Sequence, residues 1–552
     1  MSKSKFLAFC QCPKKLWLVV NKPKEAIYDS AATARFVRGN EVGDFAMQYF
    51  GAYTDVTEFK KDANGNEVLD LCKMISKTSE LMKSDSGVDN ICEASFSYNG
   101  TYCAVDILHR RSKCGDKFDI YEVKSSTSDD EDKQNKGGRK NVYIDDLACQ
   151  AYVLMKCGVK VENYYTLVLN SKYVYDGKKD KCGNPKYDLK KLFHKTDLTK
   201  EVKKRMKTVA RELELAGYVL NSKSEMESNI GTCCNHPYDC AFAEYCKKCN
   251  NVPEASVFSI GGVKSFDLYE NGVVTYEDFM NHIGKVDNDK YPLQRRQIET
   301  EISGSKKIFH NDDKINEFLD SLSTPLYFLD FETVQPVLPI YKESGPYDQI
   351  PFQYSLHYLD ELDGVLYHKD FLAESDGSDP RRALAERLVN DIPTDTCVIA
   401  YNKKFECERI AELASLFPDL HDHLMNICGN IKDLMIPFKN GICYHIAMHG
   451  SYSIKAVLPS LFPDDSELDY SNLTSVHNGE DAMTLFPKIK DMSSEEQKQA
   501  RAALLAYCRL DTLAMVRIWE KLIELVKGNK YKHTEKKIET DGSTFCETIS
   551  LC

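Results

Sequence analysis

Tyr327-Phe-Leu-Asp-Phe-Glu-Thr333 is an apolar run of strand character that carries two acids, Asp330 and Glu332, two residues apart. In an extended chain residues i and i+2 lie on one side, so both carboxylates point the same way. Burying two carboxylates at the end of an apolar strand is costly unless something positive sits between them, and a divalent cation is the usual partner. Spacing alone leaves one alternative, a strand whose acids face solvent.

Downstream, Pro351-Phe-Gln-Tyr-Ser-Leu-His-Tyr358 alternates like a second strand and Val365 to Phe371 like a third, neighbours that would give the first its sheet. A helix from about Pro380 to Val389 precedes Thr396-Cys-Val-Ile-Ala-Tyr-Asn-Lys-Lys-Phe-Glu406, a buried strand ending at a polar corner. Ala503-Leu-Leu-Ala-Tyr-Cys-Arg-Leu-Asp511 has helical character and puts Tyr507 and Asp511 at i and i+4 on one face. Asp433, in Lys432-Asp-Leu-Met435, reads either as an outer acid or as a helix cap. His357, His445 and His449 have no metal-like grouping and read as structural polar residues. Upstream, Lys314 to Leu322 reads as a helix leading into the strand.

At 552 residues the chain exceeds one core, and roughly 150 residues per domain suggests two to four domains. No apolar stretch approaches the roughly 20 residues of a membrane span, and Phe6-Leu-Ala-Phe9 is too short for a signal peptide. The expectation is a cytoplasmic chain with no membrane. In that reducing compartment clustered thiols among the 21 cysteines more often hold metal than form disulfides. A net charge of -12 argues against a uniformly basic nucleic-acid coat. Local basic runs at Lys133 to Lys140 and Lys190 to Lys207 read either as a groove for polyanions or as solvated helix faces. No Gly-rich Walker-type phosphate loop occurs, so an ATP-driven helicase would have to be a separate partner.

The first half opens with a helix interrupted at Cys10-Gln-Cys-Pro13, and Ala31 to Phe50 follows at a near-helical period with Glu41 inside it. Ile91 to Ser97 and Thr101 to Leu108 flank an Asn99-Gly100 turn, a hairpin signal, and Phe118 to Lys124 is a third strand. Asp106 followed by Glu122 and Lys124 can bring two carboxylates and an ammonium around one point, the acids for Mg²⁺ and the lysine beside the phosphate. Asp145 to Tyr152 opens a helix that offers Gln150 to that site. Cys234, Cys240 and Cys246 are spaced six apart, unlike the usual zinc knuckle. With Cys10 or Cys12 they would supply the four thiolates of an iron-sulfur cluster.

These motifs resemble known families. Residues 1 to 250 resemble the RecB-type PD-(D/E)XK nucleases with an iron-sulfur staple, which include the CRISPR-associated RecB-like exonucleases. The resemblance implies cluster ligands Cys12, Cys234, Cys240 and Cys246, and metal or catalytic roles for Asp106, Glu122 and Lys124. It matches Glu41 to a first-helix acid used by some members and Gln150 to their glutamine motif. The tyrosine expected four residues after that glutamine is Leu154, with Tyr152 nearby. Asn402 to Glu406 resembles the second motif of DnaQ-type exonucleases, with glutamate one methylene longer than the usual aspartate. Tyr507 and Asp511 resemble the third motif of the tyrosine subclass of DEDD exonucleases. The implied two-metal scheme has Asp330, Glu332, Glu406 and Asp511 holding two cations about 4 Å apart while Tyr507 orients water. Together the halves resemble an uncharacterised bacterial family, domain of unknown function 2779, that fuses the two modules.

The expected fold is therefore α/β multidomain: a PD-(D/E)XK nuclease fold with an iron-sulfur staple over 1–250, then an RNase H-like, DnaQ-type α/β domain over 321–527. Residues 251–320 are expected as a helical connector, with Ile260 to Phe279 either helix-hairpin-helix-like or a plain connector, and 528–552 as a mobile tail. The expected activity is metal-dependent hydrolysis of DNA at two sites, with Mg²⁺ or Mn²⁺ and a 4Fe-4S cluster as cofactors. A separate helicase or a defence or repair complex is the class of partner the resemblance admits. Two alternatives stand beside it: a nucleic-acid end-binding or assembly protein with silent sites, and an RNA-processing 3'-5' exonuclease.

Overall fold

The computed structural model describes residues 1–28, 39, 41–113, 115–128, 140–286, 290–528, 533 and 535–537. The chain divides into two compact units. The first comprises Met1–Pro253, Lys264–Val273 and Pro336–Tyr347, and the second Glu254–Val263, Val274–Gln335 and Asp348–Cys552. The stretch expected as a connector is thus divided between them. Twelve residues soon after the Asp-x-Glu strand, Pro336–Tyr347, belong to the first unit.

The first unit is built on a mixed sheet whose spatial order follows the chain: β1 (Thr54–Asp55), β2 (Asn90–Tyr98), β3 (Thr101–Arg110), β4 (Lys117–Thr127), β5 (Lys160–Leu169) and β6 (Phe193–Asp197). β2, β3 and β4 form an antiparallel meander, and β4 pairs parallel with β5. Asn99 and Gly100, at φ 46° and 73°, close the β2–β3 hairpin in the left-handed conformation that this pair adopts at low cost. Alternation along the strands serves two cores. Leu108 and Ile120 pack with Phe6, Leu147 and Val202 from helices α1 (Lys3–Gln11), α3 (Lys140–Lys156) and α4 (Thr199–Asn221). Ile107 and Tyr121 face the other way, toward Tyr49, Tyr175, Val337 and Leu338. Between α1 and α2 (Pro13–Asn21) the backbone turns at Cys12, with Pro13 opening the new helix where its missing N–H costs nothing.

The second unit also carries a mixed six-stranded sheet, in the order β11 (Ile431–Asp433), β10 (Cys397–Ala400), β7 (Leu326–Val334), β8 (Ile350–Leu359), β9 (Leu366–Leu372) and β12 (Glu535–Lys537). β7, β8 and β9 are antiparallel, while β10 pairs parallel with β7 and β11 parallel with β10. Tyr327, Leu329 and Phe331 pack on helices that include α5 (Lys403–Leu416). Leu326 and Phe328 face Trp519 of α6 (Ser494–Lys527). By alternation, Asp330 and Glu332 share the α6 side. α6 runs 34 residues between a capping box at Ser493 and Glu496 and a left-handed Gly528.

The few described residues of the tail are ordered by pairing. Glu535–Lys537 pairs with Leu366–His368, and buried His533 is bonded by its Nδ1 to Glu520 Oε1 at 2.7 Å. A free strand edge and a buried acid anchor part of a segment whose composition suggests only solvation.

Candidate functional site

In the second unit a cavity of about 300 Å³ is lined by Asp330, Glu332, Glu406, Tyr507 and Asp511 together with Lys455. Three elements present the five expected groups. β7 supplies Asp330 and Glu332, and a register shift between Glu332 and Thr333 ends the regular ladder there, the kind of irregularity that re-aims a side chain. α5 supplies Glu406 from its first turn. Asn402, at φ 79°, makes the corner before α5, and Asp433 fixes it by accepting the N–H groups of Asn402 and Met435, each at 3.0 Å. α6 supplies Tyr507 and Asp511.

Buried, mutually repelling acids dominate the electrostatics, an arrangement that a bound cation would relieve. Burial, then repulsion from Asp511, Glu332 and Glu406, pushes Asp330 well above the usual carboxylate range, and Glu332 is raised in the same way. Glu406 and Asp511 are raised first by burial as well. Glu406 Oε2 is buried with no hydrogen-bond partner, which is costly for an acceptor unless a ligand takes it up. Asp330, Glu332 and Cys508 offer ligand atoms within 4.8 Å of one another, the one such group of three among the described residues. The Cys508 thiol points its sulfur at the Asp330 carbonyl and carboxylate, at 3.8 and 3.9 Å, and burial pushes its proton loss well above the ordinary value. A neutral soft thiol suits Mg²⁺ or Mn²⁺ poorly, so Cys508 braces Asp330. Two cations 3.5–4 Å apart would spread their oxygens beyond a single tight group, which accommodates Glu406 and Asp511.

Two residues here carried no sequence signal. The Tyr470 hydroxyl donates to Asp511 Oδ1 at 2.5 Å, and Lys455 donates to the His477 carbonyl at 2.8 Å with its ammonium 5.3 Å from the ring centres of both Tyr470 and Tyr507.

In the first unit Asp106, Glu122, Lys124 and Gln150 come together around a carboxylate not expected there, Asp146. Lys124 Nζ donates to Glu122 Oε1 at 2.6 Å and to Asp146 Oδ2 at 2.8 Å. Gln150 Nε2 donates to Glu122 Oε2 at 2.6 Å and to Asp146 Oδ1 at 2.9 Å. The Val123 N–H donates to Asp106 Oδ2 at 2.6 Å. Lys3, from α1, reaches Glu122 Oε1 at 3.0 Å and Asp146 Oδ1 at 3.3 Å. Burial, then repulsion from Asp106 and Asp146, raises Glu122; burial opposes ionisation of Asp146, but Lys124 and Lys3 hold it well below the usual range. Asp146 precedes Gln150 by four residues on one helix face, a spacing that could have marked it. Nothing in the sequence marks Lys3.

Other expected residues lie elsewhere. Glu41 is exposed and lines a different cavity of the first unit with Phe45, Gln48 and Tyr187. Leu154 is fully buried, and Tyr152 packs at the edge of that core. Within Ala31 to Phe50 the described residues, 39 and 41–50, are helical; 31–38 and 40 lie outside the described residues, as does most of Lys133 to Lys140.

The cysteines separate clearly. Cys12 Sγ lies 3.4 Å from Ser228 Oγ, and a hydrogen bond from Cys233 first of all lowers its thiol to about 5. Cys12, Cys234 and Cys240 all act electrostatically on Cys246, whose thiol burial raises to about 12. Cys10 instead sits beside Arg205, 3.8 Å away, and Asp145. Thiolates on one tetrahedral zinc lie roughly 3.8 Å apart, given Zn–S near 2.3 Å. No three of these sulfurs meet within 4.8 Å of one another among the described residues.

A family model described as Domain of unknown function (DUF2779) matches residues 327–453, a span holding Asp330, Glu332, Glu406 and Asp433 but not Tyr507 or Asp511. An uncharacterized protein of Mycoplasma genitalium is 25% identical over 244 residues, 41% of this chain and 36% of that protein. Its homolog in Mycoplasma pneumoniae is 26% identical over 271 residues, 45% of this chain and 40% of that protein. The matched region is thus less than half the length of either relative. No solved structure matches.

Proposed function

We propose that the chain is a divalent-metal-dependent nuclease with two active sites: a RecB-type PD-(D/E)XK site in the first unit and a DnaQ-like 3'-5' exonuclease site, on an RNase H-like sheet, in the second. DNA is the proposed substrate. The observation that carries the reading is the convergence of Asp330, Glu332, Glu406 and Asp511 from three elements on one cavity, with Tyr507 beside them. Their raised proton affinities and the unpaired Glu406 oxygen fit Mg²⁺ or Mn²⁺. The strand order of the second sheet, with its antiparallel first three strands and parallel fourth and fifth, supports the fold part of the proposal.

Bound cations would supply Lewis acidity for water and for the leaving oxygen. The chain's own contributions are positional. Tyr507 offers a neutral hydroxyl, held neutral by burial and by its acidic neighbours, which can donate to or orient the attacking water. Asp511, buried and held by Tyr470, keeps its carboxylate directed into the cavity. Lys455 lines the same cavity as its one lysine and is placed to meet a phosphate oxygen. In the first unit Lys124 is fixed by Glu122 and Asp146 where a scissile phosphate would lie against Asp106 and Glu122. Cys12, Cys234, Cys240 and Cys246 are proposed to hold a 4Fe-4S cluster that fastens α1 and α2 to the end of this unit.

The test is degradation of end-labelled DNA and RNA by the full chain with Mn²⁺, for Asp330→Asn and Asp106→Asn variants. Each substitution should remove a distinguishable activity. Tight DNA binding with no metal-stimulated turnover would instead favour an end-binding protein, and preferential cleavage of RNA an RNA-processing enzyme.

A further inference from the structure

The first-unit site holds one more cation than its motif requires. Three of the roughly four lone-pair sites of Glu122 are taken: Oε1 by Lys124 at 2.6 Å and Lys3 at 3.0 Å, and Oε2 by Gln150 at 2.6 Å. Asp146 is similarly engaged, by Lys124 at 2.8 Å, Gln150 at 2.9 Å and Lys3 at 3.3 Å. A divalent cation shared by Asp106 and Glu122 would meet two ammoniums already on Glu122 Oε1, and the repulsion among these charges is relieved when one ammonium leaves.

The distances say which. Lys124 and Gln150 each bridge both carboxylates with bonds of 2.9 Å or less. Lys3 bridges the same pair at the longest separations in the group, 3.0 and 3.3 Å, and its side chain is as exposed as that of Lys124, so the contact lengths are what distinguish the two. It is also the one member of the group that does not belong to the sheet or to α3. Two like charges held on Glu122 Oε1 repel each other, and loss of Lys3 relieves that repulsion while Lys124 stays in place.

We propose that Lys3 is the ammonium a divalent cation displaces from Glu122, so that Lys3 sets the metal affinity of the first-unit site. The proposal rests on the metal-site reading of Asp106 and Glu122. Lys3 is then a positioning residue: it holds Glu122 and Asp146 in place and yields to the metal, which makes it a competitor that the sequence motif alone does not contain.

The experiment is Mn²⁺ binding to the full chain, followed by electron paramagnetic resonance of the free ion. An Asp330→Asn/Glu332→Gln background weakens the second site so that the first is read. Lys3→Met, which keeps the length of the side chain and removes its charge, should tighten Mn²⁺ binding by roughly tenfold, the order expected when a competing unit charge beside a divalent ion is removed. Lys3→Arg, which keeps the charge, should not tighten it. Melting temperature checks that each variant is folded, and Lys3→Arg gives a second reading if Lys3→Met is not. Unchanged or weaker binding in a folded Lys3→Met protein overturns the displacement. If neither the parent nor Lys3→Met binds Mn²⁺ while Asp106→Asn changes nothing, the metal-site reading itself falls and the displacement with it.

Discussion

The Tyr470 hydroxyl donates to Asp511 Oδ1 over 2.5 Å, from a short turn, Tyr470–Asn472, far from Asp511 in the chain. Asp511 therefore has two tyrosines near it, since Tyr507 lies one helical turn before it on α6. The roles divide by position. Tyr507 lines the cavity and Tyr470 does not, so Tyr470 acts through Asp511. Tyr470→Phe keeps the ring and frees the carboxylate. The expected outcome is a fall in kcat of about tenfold with little change in KM, as for loss of an outer partner of a metal ligand. Tyr507→Phe should cost more. Steady-state kinetics on an end-labelled strand with Mn²⁺ separates the two, and a loss confined to KM in Tyr470→Phe would assign that residue to substrate binding.

Glu406 predicts the pH dependence of the second site. Burial first, then repulsion from Asp433, pushes its carboxyl from an ordinary value of 4.5 up to about 8. A folded-state value above the unfolded one means that the folded chain binds this proton more tightly. The stability it contributes is complete below 4.5 and is lost as pH rises through about 8. Glu406→Gln carries no such titration. In the presence of a chelator, the variant should therefore gain about 1–3 kcal/mol over the parent between pH 5 and pH 8, given about 1.4 kcal/mol for each tenfold change in proton affinity and some relief by solvent relaxation. Denaturant melts at the two pH values measure this. Added Mn²⁺ should raise the parent at pH 8 by more than it raises the variant, which keeps Asp330, Glu332, Asp511 and the first-unit site, and an equal gain in both proteins would mean that Glu406 does not face the cation.

How much of the fold and the sites is legible in the sequence depends on periodicity. β7 and its acids, the Asn99-Gly100 hairpin and the Tyr507/Asp511 helix all announce themselves through spacing, because alternation and the 3.6-residue turn are written locally. Glu406 is legible as part of a corner, and the structure explains that corner through Asn402 and Asp433. Lys3, Lys455 and Tyr470 are not legible, since each reaches its partner across a long loop of chain and lies in no patterned stretch. Asp146 is legible only through its four-residue spacing from Gln150, and the bonds from Lys124 and Gln150 separate it from Asp145, which pairs with Arg205 at 2.5 Å. The paired strand in the tail is hidden for the same reason: composition carries no information about an open strand edge.

The separation of Cys10 from Cys12 predicts which cysteine the proposed cluster would need. Cys12→Ser should lose the brown colour and the iron, about four per chain in protein purified without oxygen. Cys10→Ser should keep both, because its sulfur faces Arg205 and Asp145 instead of the other thiols. Iron analysis and visible absorption read the outcome. Stoichiometric zinc without iron in the parent would replace the cluster by a different metal centre.

The segment Pro336–Tyr347 sets a limit on dissecting the chain. It follows the Asp-x-Glu strand, yet within the first unit Val337 and Leu338 are 5% and 3% exposed and pack with Tyr49, Tyr121 and Tyr175. Its backbone is bonded there as well: Tyr175 N–H donates to the Ser344 carbonyl and Glu343 N–H to the Tyr175 carbonyl, both at 2.9 Å. The Tyr347 hydroxyl donates to the carbonyl of Ser125 at 2.6 Å, one residue past Lys124. A fragment ending at residue 253 exposes the aromatic surface that these side chains cover. Two buried aliphatic side chains contribute about 3–6 kcal/mol, a large part of the net stability of a domain. The fragment 1–253 is therefore expected to melt well below the full chain and to be cut rapidly by protease. Adding a synthetic peptide of residues 334–348 should raise its melting temperature in a concentration-dependent way, whereas a peptide with Val337 and Leu338 both changed to Asp should not. If the bare fragment is already as stable as the full chain, the segment is only a surface tether, and Lys124 does not depend on it.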